Sequence, residues 1–123
     1  MILKPGDPNA PWIKILGIEL FYTTIFTAVI FYMKYTTSAK KDGTLKALTI
    51  VFAKYCCITC AGPITGGGFN PSVALPAVTF YSIVAEAGVP TFNKFLPSYL
   101  VGGLLGGVLG ALMTKVTLKM ADM

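Results

Sequence analysis

The sequence contains neither arginine nor histidine, and only 12% of its 123 residues are charged. Without histidine it lacks the commonest general base and metal ligand of proteins. The spacing of its serine, lysine and glutamate residues indicates no nucleophile paired with a base. We therefore expect a chain that is not an enzyme by itself, with no metal and no cofactor, although it could belong to an enzyme complex. Its ten lysines mostly flank apolar runs, which argues against a nucleic-acid partner, since such sites usually recruit arginine as well.

Cysteine is also scarce, and its three copies fall in one apolar run at Cys56, Cys57 and Cys60. With no histidine and no fourth cysteine, these residues cannot complete a tetrahedral zinc site. We interpret all three as small buried packing residues, because free cysteine behaves as a hydrophobic side chain in protein interiors.

Apolar residues are abundant: 54% of the residues are hydrophobic, and the mean hydropathy is +0.71. This is too apolar for an ordinary soluble domain. Three runs approach the length that crosses a hydrocarbon core of about 30 Å as a helix: 15–33, 45–61 and 98–114. The first contains one charge, Glu19, and the second contains Lys54 in its interior. The sequence therefore predicts an all-α membrane protein with three transmembrane helices in contact with membrane lipids.

A fourth apolar segment, 71–81, is too short to cross a bilayer, because about ten residues span only half of it. We therefore predict a re-entrant half-helix. Asn70 is a good N-cap and Pro71 suits a first helical turn, so the helix should begin there. The three preceding glycines would let the chain turn at membrane depth: Gly66, Gly67 and Gly68.

Lipid cannot satisfy the backbone groups of such a turn, so the turn must be buried in protein or face a water-filled cavity. Three spans and a half-helix offer little cover, and we expect that the chain is not a stable monomer. The distribution of lysines predicts the orientation of the chain in the membrane. The side that carries the loop after the first span and the carboxyl end holds six lysines, and the opposite side holds three. The six are Lys34, Lys40, Lys41, Lys46, Lys115 and Lys119, and the three are Lys4, Lys14 and Lys94. The first side should face the cytoplasm or a matrix.

The stretches GIELFYTTIFTAVIFY, AGPITGGGFNPSVAL and SYLVGGLLGGVLGALM resemble the aquaporin (major intrinsic protein) family, over about residues 12–117. The resemblance is to the second of the family's two inverted repeats, and it implies one half-aquaporin-like domain over 1–123. The family normally carries both repeats in one chain of twice this length. By resemblance, the pore motif of the family, which is NPA-like, falls at Asn70, Pro71, Ser72 and Val73.

The resemblance also implies a role for Glu19, which matches a buried glutamate that braces the re-entrant loop in the family. A lone ionisable residue within a span is a candidate functional site. Against this we set a structural role, in which Glu19 pairs with Lys54 or a neighbouring backbone N–H, and we favour the structural role.

Three positions depart from the family pattern. The arginine that usually lies at the narrowest point of the pore is replaced by Val73, and the histidine common in water-selective members falls near Ile58. Pro76 occupies the interior of the half-helix, a position that resists proline, whereas family members often have proline one residue later.

Two functional hypotheses follow from this resemblance. The first, which we favour from sequence, is an accessory, non-conducting subunit of a larger hetero-oligomeric membrane complex, placed by analogy in the respiratory chain of the mitochondrial inner membrane. Its support is the single repeat, the missing arginine and the exposed re-entrant surface. The alternative is a pore for water or small neutral solutes formed by two associated half-repeats, as a homo-oligomer or with a complementary half. A transporter fragment with broken helices explains the half-helix equally well but the GPITGG…NP string less well.

Glycines in the third span form three overlapping G-x-x-x-G pairs, which let another helix approach closely: Gly102, Gly103, Gly106, Gly107 and Gly110. The sequence leaves open whether that helix belongs to another subunit or to the same chain.

Overall fold

The computed structural model describes residues 5–37, 41–84 and 93–122 of the chain. Lys4 and Lys40 of the lysine count lie outside these ranges. The elements are α1 (Trp12–Tyr35), α2 (Gly43–Thr65), α3 (Pro71–Val84), a 3₁₀-helix (Asn93–Phe95) and α4 (Leu96–Ala121). Helices α1, α2 and α4 are long and apolar enough to cross a membrane, which confirms the predicted all-α membrane fold. Helix α3 has 14 residues and is about 21 Å long, too short to do so.

Each segment expected from sequence lies inside an observed helix that extends beyond it at one or both ends. Helix α2 begins early because Asp42 Oδ1 accepts the backbone N–H groups of Thr44 at 2.9 Å and Leu45 at 3.0 Å. It continues through Pro63 and ends at Gly66, which has a left-handed backbone with φ 84°. Gly66 donates its N–H to the carbonyl of Gly62 at 2.8 Å, as is common at helix C-termini.

Helices α1 and α4 pack side by side and run in the same direction. Near their N-termini the Ser98 hydroxyl donates to the carbonyl of Trp12 at 3.2 Å. Farther along both helices the Thr114 hydroxyl donates to the carbonyl of Ala28 at 3.2 Å. Both helices therefore start at one end of the bundle, called here the break end, and finish at the other, called here the lysine end.

Most glycines of α4 contact other helices of the same chain. An added Cβ at Gly106 would lie 2.7 Å from the carbonyl oxygen of Leu20, and Gly102 and Gly110 contact α1 in the same way. Gly103 faces Pro71 at the start of α3, whereas a Cβ added at Gly107 would meet no other element of the described residues within 4 Å. The close approach that the G-x-x-x-G pairs allow is thus made by the chain's own helices at four of the five glycines.

The contacts of α2 and α3 give a re-entrant topology. Helix α2 runs antiparallel to α1, with Cys57 beside Tyr22 and Lys54 beside Phe26, so α2 ends near the break end. Helix α3 starts against Gly103, about 10 Å inside the break end at the usual rise of a helix. It then runs back to a core that contains Phe95. Because α4 also starts at the break end, the segment between α2 and α4 enters and returns on one side.

Two apolar clusters hold these helices together. The first joins α3 to the N-terminal parts of α1 and α4 and contains Ala10, Ile15, Ala74, Val78, Phe95 and Tyr99. The second joins α1 to α2 and contains Cys57, Ala61 and Phe69. The interpretation of three buried cysteines is wrong for Cys56 and Cys60, which are exposed. The buried residues of α2 lie four apart, at Cys57, Ala61 and Thr65, and Cys56 and Cys60 are not among them.

Candidate functional site

The candidate site is the break between α2 and α3, where the backbone turns through left-handed conformations. Gly66 and Gly67 have φ angles of 84° and 72°, which glycine adopts at no steric cost. Gly68 does not share this conformation, so only two of the three glycines are required by the backbone angles. Phe69 also has a positive φ, 48°, which is strained for a residue with a side chain. Its ring is 3% exposed and lies 6.0 Å from the ring of Tyr22, and this packing holds the strained residue in place.

Glu19 from α1 holds the break through two backbone hydrogen bonds. Its carboxylate is buried, with 1% of the residue exposed. One oxygen accepts the N–H of Gly68 at 3.2 Å and the other accepts the N–H of Phe69 at 2.8 Å. Lys54 is the other partner expected from the sequence, and its ammonium lies 5.2 Å from the centre of the Phe26 ring. Among the described residues Glu19 therefore contacts the loop and forms no ion pair with Lys54.

Three further hydrogen bonds involve residues of the break and of the end of α2. The Thr65 hydroxyl accepts the N–H of Gly67 at 3.1 Å. Tyr99 from α4, which is fully buried, donates its hydroxyl to the carbonyl of Thr65. Gly6 in the N-terminal segment donates its N–H to the carbonyl of Ile64 at 3.0 Å. Sequence reasoning missed Tyr99 and Gly6, because neither residue belongs to a motif and both lie far along the chain from the break.

The chain thus covers its own break, and the expectation that three spans and a half-helix offer little cover is wrong. Gly67, Gly68 and Phe69 are all buried. The reason is the central position of α1, which supplies both the carboxylate of Glu19 and the ring of Tyr22 to the loop. The N–H groups of Gly67, Gly68 and Phe69, which lipid could not satisfy, are therefore paired within the chain.

Asn70 starts α3 and presents an exposed polar tip. Its side-chain oxygen accepts the N–H of Ser72 at 2.9 Å, and its backbone carbonyl accepts the N–H groups of Val73 at 3.0 Å and Ala74 at 2.9 Å. Because the Ser72 contact fixes the oxygen, the amide NH₂ of Asn70 points away from the helix. It makes no hydrogen bond to any part of the chain that the structure describes, so two donors remain at the helix start.

The first turn of α3, which follows this tip, contains no acidic residue. Val73 lies one turn into the helix and is 37% exposed. Ile58 from α2 is half-buried beside the break, where it would touch a Cβ added to Gly67 at 3.4 Å. Ser72 and Pro76 are exposed, and α3 continues through Pro76. The partial positive charge of the helix N-terminus therefore stays available to a polar molecule at Asn70.

The comparisons with known proteins agree with this architecture. Residues 7–114 match the major intrinsic protein family, whose members include the aquaporins. Searches of curated proteins and of solved structures give no match. The matched range contains the Glu19 brace, the glycine break, the Asn70 tip and all of the glycines of α4. The chain is therefore an integral membrane protein that belongs to the major intrinsic protein family.

Proposed function

We propose that this chain is a single half-aquaporin-like domain that supplies one half of a pore for water or small neutral solutes. The observation that carries the proposal is the exposed NH₂ of Asn70 at the start of α3, held in place by Glu19 and Tyr99. The second half-helix would come from an associated half-repeat. Membership of a family that contains channels supports this function, which needs no catalytic group.

The chemistry of the site suits a neutral molecule with lone pairs. The Asn70 NH₂ can donate to a water or hydroxyl oxygen, while the positive end of the α3 dipole, about half a charge, disfavours cations and protons. Val73 and Ile58 offer apolar surface near the tip. A constriction built from these side chains has few hydrogen-bond donors, so we expect it to favour small neutral solutes and to pass water less freely than a polar filter would.

The accessory-subunit hypothesis stays a prediction, as does its placement in a respiratory complex of the mitochondrial inner membrane. A specific observation keeps it as the second candidate. Val73 stands where the family's pore usually has arginine, so one polar element of a conducting filter is missing. A hetero-oligomeric complex and a homo-oligomer both remain compatible with the exposed apolar faces of the bundle.

The first experiment is to extract the protein in mild detergent and determine the mass and subunit content of its native assembly. A particle made of this chain alone, or of this chain with a complementary half, supports the pore. Co-purification with a large set of unrelated subunits favours the accessory role and contradicts the pore proposal.

Conduction is then tested by stopped-flow permeability of vesicles that contain the isolated assembly, comparing wild type with Asn70→Asp. Aspartate is as good an N-cap as asparagine, so α3 should still form. It removes both free donors and adds a charge, and we expect water and solute permeability to fall toward that of protein-free vesicles. The control is Asn9→Asp, the same change at an exposed residue of the N-terminal segment. Unchanged permeability of Asn70→Asp would contradict conduction past this residue.

A further inference from the structure

At the lysine end of the bundle, far from the break, α1 and α4 separate and enclose a groove of about 610 Å³. The cause is the sequence of α4 along the face that contacts α1. Gly102, Gly106 and Gly110 let the helices touch, but the next residues on that face are Thr114 and Leu118. Thr114 still reaches the carbonyl of Ala28. Beyond it the larger side chains keep the two helices apart.

The walls of this groove, called here the lysine-end groove, are apolar. Phe31 and Tyr35 form one wall, with their rings stacked at 6.1 Å between centroids and 26° between planes. Ala111 and Leu118 line the α4 side. The hydroxyl of Thr114 is directed at two backbone carbonyls within the bundle, so it offers no donor to an occupant. The interior of the groove therefore suits a hydrocarbon chain.

The rim of the groove carries positive charge. Lys115 and Lys119 are exposed and lie four residues apart, on the same face of α4. Lys34 belongs to the last turn of α1, with its ammonium 5.5 Å from the centre of the Tyr35 ring. Asp122 is the acidic residue among those that line the groove. Among the lining residues two lysines against one aspartate leave a net positive rim, and Lys34 adds a cation in the last turn of α1 outside the lining.

We propose that the lysine-end groove binds one anionic glycerophospholipid from the surrounding leaflet. An acyl chain would lie between α1 and α4 against Phe31 and Leu118, and the phosphate would lie between Lys115 and Lys119. A slot that is apolar inside and cationic at the membrane edge matches the two ends of such a lipid, and anionic headgroups attract juxtamembrane lysines. A zwitterionic lipid fills the slot equally well but gains less from the rim.

Native mass spectrometry of the purified assembly measures this binding, with phosphatidylglycerol as the probe and phosphatidylcholine as its neutral counterpart. The variant Lys115→Gln/Lys119→Gln removes the rim charge at exposed positions, so folding should be retained. We expect its phosphatidylglycerol binding to be at least about tenfold weaker, since each lysine near an anionic headgroup contributes to affinity. The matched control is Lys41→Gln/Lys46→Gln, which loses the same charge on the same side of the bundle but outside the groove.

A second variant, Leu118→Trp, fills the groove and keeps every lysine. It should also lose the bound lipid. That loss would distinguish binding in the groove from a general attraction between the lysines and anionic lipids. Equal weakening in the control pair, or full binding by Leu118→Trp, would overturn the proposal. The proposal would also be overturned if phosphatidylcholine bound equally well, or if a protein occupied the groove in place of lipid. The readout is lipid binding, so its outcome does not depend on whether the break conducts.

Discussion

The replacement of Glu19 by glutamine tests how the break is held. The wild-type carboxylate uses both oxygens, one for the N–H of Gly68 and one for the N–H of Phe69. Glutamine has the same shape but only one oxygen. Its amide oxygen should keep the shorter contact to Phe69, and its NH₂ would then face the N–H of Gly68, donor against donor.

The expected cost follows from this one lost acceptor. A hydrogen bond to a charged group contributes about 1.5–3 kcal/mol, and a buried N–H without an acceptor carries a penalty of similar size. With the residue 1% exposed, water cannot take over the role of the missing oxygen. We therefore expect Glu19→Gln to lower the free energy of unfolding by about 2–4 kcal/mol, a substantial part of the stability of about 5–15 kcal/mol that is typical of proteins.

Asp42 offers a matched control within the same chain. It also accepts two backbone N–H groups, but both contact the same oxygen, Oδ1, at the exposed start of α2. In Asp42→Asn the amide oxygen can keep both contacts, and asparagine caps helices about as well as aspartate. The same acid-to-amide change should therefore alter stability by less than about 0.5 kcal/mol here.

The measurement is equilibrium unfolding in mixed detergent micelles, combined with hydrogen exchange of the amides of Gly68 and Phe69. In Glu19→Gln the Gly68 amide should exchange faster than in wild type, and more so than the Phe69 amide. If Glu19→Gln were as stable as Asp42→Asn and protected both amides, the reasoning would be refuted, because Glu19 would not be the acceptor that holds the break.

Two further predictions use the same unfolding assay. Gly106→Ala should destabilise the protein by about 1–3 kcal/mol, because its Cβ would overlap α1. Gly107→Ala adds a Cβ in open space and should be neutral or stabilising by up to about 1 kcal/mol. Equal effects of the two variants on the free energy of unfolding would contradict this packing. Tyr99→Phe should cost about 1–2 kcal/mol, because it leaves the buried carbonyl of Thr65 without its donor. Tyr55→Phe, at an exposed position, should cost nothing measurable.

The packing of Gly106 also changes what a larger substitution can reveal. From sequence alone, Gly106→Leu would test whether the glycine face of α4 contacts another subunit. The structure places Gly106 against Leu20 and Thr23 of the same chain, so leucine there would disrupt the chain's own packing first. At Gly107 an added Cβ would meet nothing within 4 Å among the described residues, so a larger residue there is the informative test of intermolecular contact.

The sequence predicts the helices and the start of α3 because those features depend on local physics. Length and apolar composition mark the spans, and Asn70 with Pro71 marks a helix start through the N-cap and the preset proline backbone. The glycine run likewise predicts a turn, and two of its three glycines adopt left-handed angles. The resemblance to the aquaporins adds the brace by Glu19, which composition and spacing do not reveal.

The rest of the site could not be predicted because it depends on contacts between distant residues. Tyr99 meets Thr65 across 34 positions of the chain, and a tyrosine near the start of an apolar helix indicates nothing about such a partner. The same holds for Gly6, which reaches the carbonyl of Ile64 from the N-terminal segment. The cover of the break depends on the side chains that α1 and α4 direct at the loop, and the number of helices does not reveal them.

The break is held by contacts within one chain, and this limits what a partner subunit would have to supply. Glu19 accepts two backbone N–H groups of the loop, and Tyr99 donates to the carbonyl of Thr65, all inside one chain. Among the described residues the NH₂ of Asn70 has no hydrogen-bond partner, and it lies at the start of a helix whose far end exposes Phe80 and Ile83. A partner that places a second helix N-terminus opposite Asn70 would complete a polar path. One that covers only the apolar side chains of α3 would leave Asn70 without a function, so the residue opposite Asn70 distinguishes a pore from a scaffold.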